Sequence, residues 1–176
     1  MFNLHNDRLE QLYTDCVRFH GHGCPLLALG VRVCGTALEK LGLEGPAHGR
    51  LVCVTEFDGC CVDAIQIGLH CTAGTKHLLY YKTGKLIFTV YDLEAGTSVR
   101  IRARKEIADT IRELSPEDVL SMPEDTLFIF ERAHPLTSRT LAKVARTCTS
   151  PAPSVPRRTS GVQDCPDQFR RFDAQN

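Results

Sequence analysis

The chain has no excess of either charge. Its 176 residues include 21 Lys and Arg against 21 Asp and Glu, so the formal net charge at pH 7 is zero. Proteins that bind nucleic acid or membrane surfaces generally carry a basic excess, and we expect neither partner here. The sequence also lacks an apolar run long enough to cross a membrane, and it does not begin with a secretion signal. We therefore expect a cytoplasmic protein.

Several catalytic motifs are also missing. No G-x-G-x-x-G, P-loop or G-x-S-x-G pattern occurs, so neither nucleotide binding nor serine hydrolysis is indicated. The absence of any C-x-x-C pair excludes a thioredoxin-type redox motif. Nine cysteines are nevertheless present, and in a chain without an export signal they are expected to remain reduced thiols. Apolar patterns assign Cys16, Cys34 and Cys53 to packing.

The hydrophobic fraction of 43% is enough for one core of ordinary size. Apolar periodicity and turn residues predict the following elements in chain order: helices over about residues 5–18 and 25–42, a strand over 50–57, a helix over 62–69, strands over 78–82, 85–91 and 98–104 with hairpin turns, a helix over 105–114, a helix starting at Ser115-Pro116, and a strand over 126–132. This order predicts an α+β layered fold. We expect a core domain over 1–146 and a poorly ordered tail, rich in Pro, Ser and Arg, over 147–176.

The stretch Phe19-His20-Gly21-His22-Gly23-Cys24-Pro25 is the most informative part of the sequence. Two imidazoles and a thiol this close together suit Zn²⁺ or a similar late transition metal, and the glycines let the backbone turn tightly between them. Proline is favoured at the first position of a helix, so Cys24 is expected at a helix N-terminus, where a thiolate is stabilised. The alternative is a glycine-rich turn whose side chains only pack.

Two later turns carry further donor groups. In Asp58-Gly59-Cys60-Cys61, the Cys60 thiol is expected at a helix start with a lowered pKa, whereas Cys61 fits a small apolar gap. Asp63 has two possible roles: it orients a ligating His, or it is an ordinary acidic residue in the first turn of the helix. The next donors lie in the loop His70-Cys71-Thr72-Ala73-Gly74-Thr75-Lys76-His77. Cys71 is a candidate metal ligand or redox partner of Cys60. His70 and His77 are weaker candidates for metal ligands.

Together these motifs resemble the formylmethanofuran dehydrogenase E-subunit-like (FmdE) family over about residues 5–132. The resemblance is carried by three groups: 19–25 with Ala28-Leu29-Gly30, Cys60 with Val62-Asp63-Ala64-Ile65-Gln66, and Cys71-Thr72 with Gly74, Lys76 and the strand 84–89.

The resemblance implies an α+β core with N-terminal helices packed on a mixed, mostly antiparallel sheet, forming an intertwined homodimer. It also implies that histidines and cysteines of the motifs group in a metal-binding or active site. The residues carried over as metal ligands are His20, His22, Cys24, Cys60 and Cys71. Some members add a zinc finger with two cysteine pairs. This tail has only Cys148 and Cys165, which cannot complete a tetrahedral zinc site.

The sequence supports two main functional hypotheses and leaves open whether the protein is an enzyme. In the first, a transition metal, expected to be zinc, serves one-carbon or molybdopterin-linked redox metabolism, with His20 as a ligand or general base. In the second, the same residues form a metal sensor, carrier or assembly partner of an oxidoreductase. A purely structural role for the motifs ranks third.

Overall fold

The computed structural model describes residues 4–46 and 49–131, together with residues 133 and 136. The described elements are α1 (Leu4–His20), α2 (Pro25–Lys40), β1 (Leu51–Thr55), α3 (Cys61–Gly68), β2 (Leu78–Tyr80), β3 (Ile87–Asp92), β4 (Thr97–Ala103), α4 (Lys105–Thr110), a 3₁₀ turn (Ile111–Glu113), α5 (Pro116–Ser121), α6 (Glu124–Leu127) and β5 (Phe128–Glu131). They form an α+β fold, as predicted. The predicted tail 147–176 lies outside the described residues and stays a prediction.

The five strands form one mixed sheet in the order β2-β1-β3-β4-β5. Strands β1 and β2 are parallel, and the other neighbouring pairs are antiparallel. The expected hairpin between β3 and β4 is confirmed, with Asp92 opposite Thr97 at its end.

The hairpin predicted between the strands at 78–82 and 85–91 is wrong, because β1 lies between β2 and β3. The Thr83-Gly84 turn instead wraps around the end of β1. Both of its backbone N–H groups donate to the Glu56 carbonyl, at 3.1 and 3.0 Å. A turn signal marks where the chain reverses, but it does not determine which strand occupies the neighbouring position.

The core lies between the sheet and α2, the central helix. Nine of the sixteen α2 residues are buried, as expected for a helix covered on most of its surface. The largest buried side chains of this core include Leu29, Ile65, Phe88, Ile101 and Phe128. Helix α1 adds a second apolar cluster, in which Leu9 and Cys16 meet residues of α2 and α3.

Helices α2 and α3 approach closely at Gly30. A Cβ at this position would lie 2.7 Å from the Cys61 carbonyl oxygen and 2.8 Å from the Ala64 Cβ, so only glycine fits. The contact fixes the start of α3 beside α2, and with it the two turns that carry the candidate thiols.

The C-terminal part of the described chain departs locally from the expected boundaries. The capping box at Ser115 is present, with the Ser115 Oγ accepting from the Asp118 N–H at 3.0 Å. The last strand begins only at Phe128, because a short helix, α6, occupies the preceding four residues. Among the described residues, none of the helices has both the length and the apolar character needed to cross a membrane.

Candidate metal centre

The turn between α1 and α2 depends on its glycines. Gly21 has φ +92, a conformation that favours glycine, and its N–H donates to the Val17 carbonyl at 2.8 Å. A Cβ on Gly23 would lie 2.7 Å from the Tyr13 hydroxyl oxygen. The chain can therefore reverse within four residues and start α2 at Pro25.

This reversal brings three of the predicted ligands together. One ligand atom from each of His20, His22 and Cys24 lies within 4.8 Å of the others. The two imidazole rings have their centroids 4.5 Å apart and are tilted by 39°. His22 is exposed, whereas His20 and Cys24 are partly buried. Imidazole nitrogen and thiolate sulfur are the donors that zinc and similar late transition metals prefer.

His20 is held by a carboxylate from a distant part of the chain. Its Nδ1 lies 2.7 Å from Asp63 Oδ2, a contact across 43 residues. Asp63 Oδ1 accepts from the Gln66 side chain at 3.3 Å, and Gln66 Oε1 in turn accepts from the Ala73 N–H at 3.2 Å. Of the two interpretations of Asp63, the orientation of His20 is therefore the one that the geometry supports.

The other nitrogen of His20 is unusual. Nε2 is buried and has no hydrogen-bond partner among the described residues. When Nδ1–H donates to a carboxylate, the neutral imidazole presents its lone pair at Nε2. Buried polar atoms seldom remain unpaired, and an imidazole arranged in this way is typical of a metal ligand. The residues at this turn thus fit a late transition metal.

Cys24 occupies the predicted position at a helix N-terminus. It is the N-cap of α2 with extended backbone (φ −153, ψ 158), and its Sγ accepts from the Leu27 N–H at 3.3 Å. The hydrogen bond satisfies one of the free N–H groups at the start of α2 and holds the sulfur at the helix N-terminus.

Cys60 is the neighbour of Cys24, but its pKa differs from the expectation. The pKa of the Cys60 thiol is raised, first by burial and then by a hydrogen bond to the Cys24 side chain and by the charge of that group. Cys60 precedes α3 without making a side-chain cap bond. The predicted lowering of its pKa is wrong, because the helix start contributes less than burial and a second thiol alongside.

The other candidates on the 70–77 loop lie apart from this group. The Cys71 thiol is fully buried and donates to the Leu51 carbonyl at 3.3 Å, and burial raises its pKa to about 12. His77 is also buried, with Nδ1 donating to the Thr75 carbonyl at 3.0 Å. His70 is exposed and has φ 55. Cys71 is therefore not brought together with His20, His22 and Cys24.

Gln66 is a member of the site that sequence reasoning did not assign. Its signal was available in principle, because Asp63 and Gln66 are three residues apart and so lie on the same face of α3. What the spacing does not reveal is that this face is turned toward the end of α1.

Comparison with known proteins agrees with these motifs. A family model described as "FmdE, Molybdenum formylmethanofuran dehydrogenase operon" matches residues 19–129, which is most of the described chain. The chain belongs to the FmdE family. The match begins at the His/Cys turn and includes Asp63 and Gln66.

One solved structure and one curated relative place the FmdE chain among known proteins. A tungsten formylmethanofuran dehydrogenase FmdE-like protein from Syntrophus aciditrophicus shares the fold, with TM-score 0.55, 21% identity, and coverage of 76% of this chain and 75% of that one. A probable S-adenosyl-L-methionine-binding protein from Archaeoglobus fulgidus is 31% identical over 119 residues, or 65% of this chain. The matched region is only 32% of that relative's length.

Proposed function

We propose that this FmdE-family protein binds a transition metal at the α1–α2 turn and acts in one-carbon redox metabolism linked to formylmethanofuran dehydrogenase, as an accessory protein or as a component of the complex. The family's association with the molybdenum formylmethanofuran dehydrogenase operon supports this metabolic context and an oxidoreductase as partner.

The ligand set that we propose is His20 Nε2, His22, Cys24 and Cys60. The observation that carries it is the buried His20 Nε2, which has no partner among the described residues while Asp63 holds Nδ1. His22 and Cys24 present donors within 4.8 Å, and Cys60 lies against the Cys24 side chain. We leave Cys71 out of the set, since its thiol already donates to Leu51 in the core.

The metal that we propose is zinc, because two imidazoles and two thiolates match a tetrahedral zinc site. Four protein ligands would close the coordination shell of zinc, and its Lewis-acid chemistry would require one ligand, such as the exposed His22, to give up its place. The residues contribute in separate ways. Asp63 fixes the tautomer and direction of His20, the N-cap position of α2 holds the Cys24 sulfur beside the imidazoles, and the exposed His22 lies where a metal or substrate can enter.

Metal analysis of the untagged protein tests this site. We expect near-stoichiometric metal in the wild type and in Cys71→Ala, and loss of most of it in Cys24→Ser and His20→Ala. Cys71→Ala is the matched control, because it removes a thiol of the same chain that is not in the proposed set. A folded Cys24→Ser protein that retains full metal would refute the site. Metal loss in folded Cys71→Ala would refute the choice of ligands.

The alternative is a sensor, carrier or assembly partner that uses the same ligands without catalysis. The exposure of His22 favours exchangeable metal, which suits this role. Transfer of zinc to a chelating dye separates the two functions. Release within minutes with retention of fold supports a carrier or sensor, whereas a metal that stays bound under the same conditions supports a resident catalytic or structural centre.

We further propose that the protein is a homodimer, as its family resemblance implies. Three aromatic side chains are exposed: Phe19, which directly precedes His20, by 57%, Tyr81 by 71% and Tyr80 by 42%. Such groups favour an interface. Light scattering after size-exclusion chromatography tests the dimer, and Tyr81→Ser is expected to weaken it. A monomer at micromolar concentration would refute the proposal. The cytoplasmic location stays a prediction.

A further inference from the structure

A cavity of about 390 Å³ lies behind the two thiol-bearing turns, in a part of the molecule that the metal proposal does not use. Leu26, two residues after Cys24, and Phe57, three residues before Cys60, line it. The Phe57 ring packs on Gly59, where an added Cβ would lie 2.3 Å from the ring. Phe57 is thus packed directly on the turn that leads to Cys60. The volume and the partly apolar wall are typical of a small-molecule site.

The charged part of the cavity lining is mostly basic. Lys85, Arg102, Lys105 and Arg112 line the cavity, against a single acidic residue, Asp109. This excess is local, because the whole chain has a net charge of zero. A wall with four cations and one anion favours a negatively charged ligand.

Only part of this positive charge is matched by neighbouring carboxylates. Arg102 donates to Glu131 and Lys105 to Asp109. Within the described residues, the side chains of Lys85 and Arg112 take part in neither an ion pair nor a hydrogen bond. These two groups are available to a ligand, and a guanidinium is well suited to carboxylate, sulfonate and phosphate oxygens.

The backbone that carries Lys85 is held in place. The Gly84 N–H donates to the Glu56 carbonyl at 3.0 Å, and Ala103 donates to the Leu86 carbonyl at 2.9 Å. Lys85 lies between these two bonds, so its Cα does not need to reorganise when a ligand binds. Preorganisation of this kind lowers the entropic cost of binding.

We propose that this cavity binds a small organic anion, with its apolar part against Leu26 and Phe57 and its carboxylate, sulfonate or phosphate group at Lys85 and Arg112. The cavity contains none of the proposed metal ligands. A ligand bound there would contact Leu26 and Phe57, which lie next to the turns that carry Cys24 and Cys60.

Fluorescence titration with 1-anilinonaphthalene-8-sulfonate tests the site, because this dye combines an aromatic body with one sulfonate. We expect Lys85→Gln/Arg112→Gln to bind the dye roughly tenfold more weakly than the wild type. The matched control is Arg18→Gln/Lys40→Gln, which removes two positive charges outside the cavity and is expected to change the affinity less than twofold. N-phenyl-1-naphthylamine, the same dye without the sulfonate, should bind both variants like the wild type.

A second pair of variants tests the location independently of the cations. Ala108 is exposed on α4 and lines the cavity, so a longer side chain there can be accommodated without disturbing the core. Ala108→Glu should weaken binding of the sulfonate dye more than the uncharged Ala108→Gln does. Benzoate or phenyl phosphate should displace the dye, and the more effective competitor identifies the preferred anionic group.

The proposal is overturned if Lys85→Gln/Arg112→Gln binds the sulfonate dye like the wild type, if the control pair loses as much affinity, or if neither competitor displaces the dye. Metal content is measured on the same preparations. It is expected to be unchanged in all cavity variants, so failure here is distinguishable from failure of the metal site.

Discussion

The cysteines at the helix starts and those in the core have different surroundings within one small domain. Cys24 and Cys60 are partly exposed and lie against each other, and Cys24 lies close to two imidazoles. Cys34, Cys53 and Cys71 are fully buried, and burial raises the pKa of each thiol. A cysteine next to a turn, such as Cys71, is therefore not necessarily part of the metal site. The sulfur of Cys24 lies beside other metal-type donors, whereas the sulfurs of Cys34 and Cys71 donate to backbone carbonyls in the apolar interior.

Thiol reactivity gives the largest expected contrast between the two groups. In protein freed of metal by a chelator, N-ethylmaleimide should modify Cys24 at least about a hundredfold faster than Cys71. The reason is that the Cys71 thiol is fully buried and burial raises its pKa to about 12, whereas the Cys24 sulfur is partly exposed. Peptide mapping by mass spectrometry at successive times measures both rates. Equal rates in folded protein would show that the two groups do not differ.

Substitution at the contact between α2 and α3 should disturb the positions of both site thiols. Gly30→Ala places a Cβ 2.7 Å from the Cys61 carbonyl, so the helices must separate, at an expected cost of about 2–3 kcal/mol in the free energy of unfolding. Urea denaturation measures this cost. Gly74→Ala, whose Cβ would have no neighbour closer than 4.0 Å, should stay within about 0.5 kcal/mol of the wild type. Similar stability of the two variants would contradict the close contact.

Removing the carboxylate of Asp63, which contacts His20, should lower metal affinity without disturbing the core. Asp63→Asn keeps the size of the side chain but removes its charge, and we expect metal affinity to fall about 10- to 100-fold. Competition with a chromophoric chelator measures the affinity. Asp58→Asn is the control, because Asp58 pairs with Lys82 at the surface and lies outside the proposed ligand set. An equal loss in both variants would indicate a general charge effect rather than the orientation of His20.

Acid should destabilise the sheet through Asp92, far from the thiols in sequence. Two hydrogen bonds from Arg50, at 2.8 and 2.7 Å, hold the pKa of the buried Asp92 carboxyl below its usual range. A carboxyl with a lowered folded-state pKa stabilises the fold above its unfolded-state pKa, and this contribution is lost as the pH falls through about 4 and below. Wild type should therefore lose about 1 kcal/mol more than Asp92→Asn between pH 6 and pH 3. Urea denaturation at both pH values measures this difference, and parallel losses would contradict it.

Much of the fold could be predicted locally, but not the partners of its elements. The periodicity of Leu26, Leu29 and Val33 predicts α2, and Ser115-Pro116 predicts the start of α5, because both signals lie within a few residues of the structure they specify. The predicted hairpin partner of β2 was wrong. Strand order depends on which apolar faces can be buried together, and that is decided across the whole sheet.

The candidate site divides in the same way. The spacing of His20, His22 and Cys24 predicts their proximity, since only two glycines separate them and their geometry is local. The roles of Asp63 and Cys71 depend on contacts made across many residues. Asp63 reaches His20 because α3 packs on α2 at Gly30, whereas Cys71 is turned into the core beside Leu51.

The sequence by itself thus determined most helices and strands, the family, and a tight turn with three metal-type donors, because these properties arise from neighbouring residues. The tertiary structure alone decided which thiols lie with those donors, which carboxylate orients His20, and where four cations line a cavity. These depend on the packing of α2, α3 and the sheet, which brings together residues that are tens of positions apart and sets the burial of each.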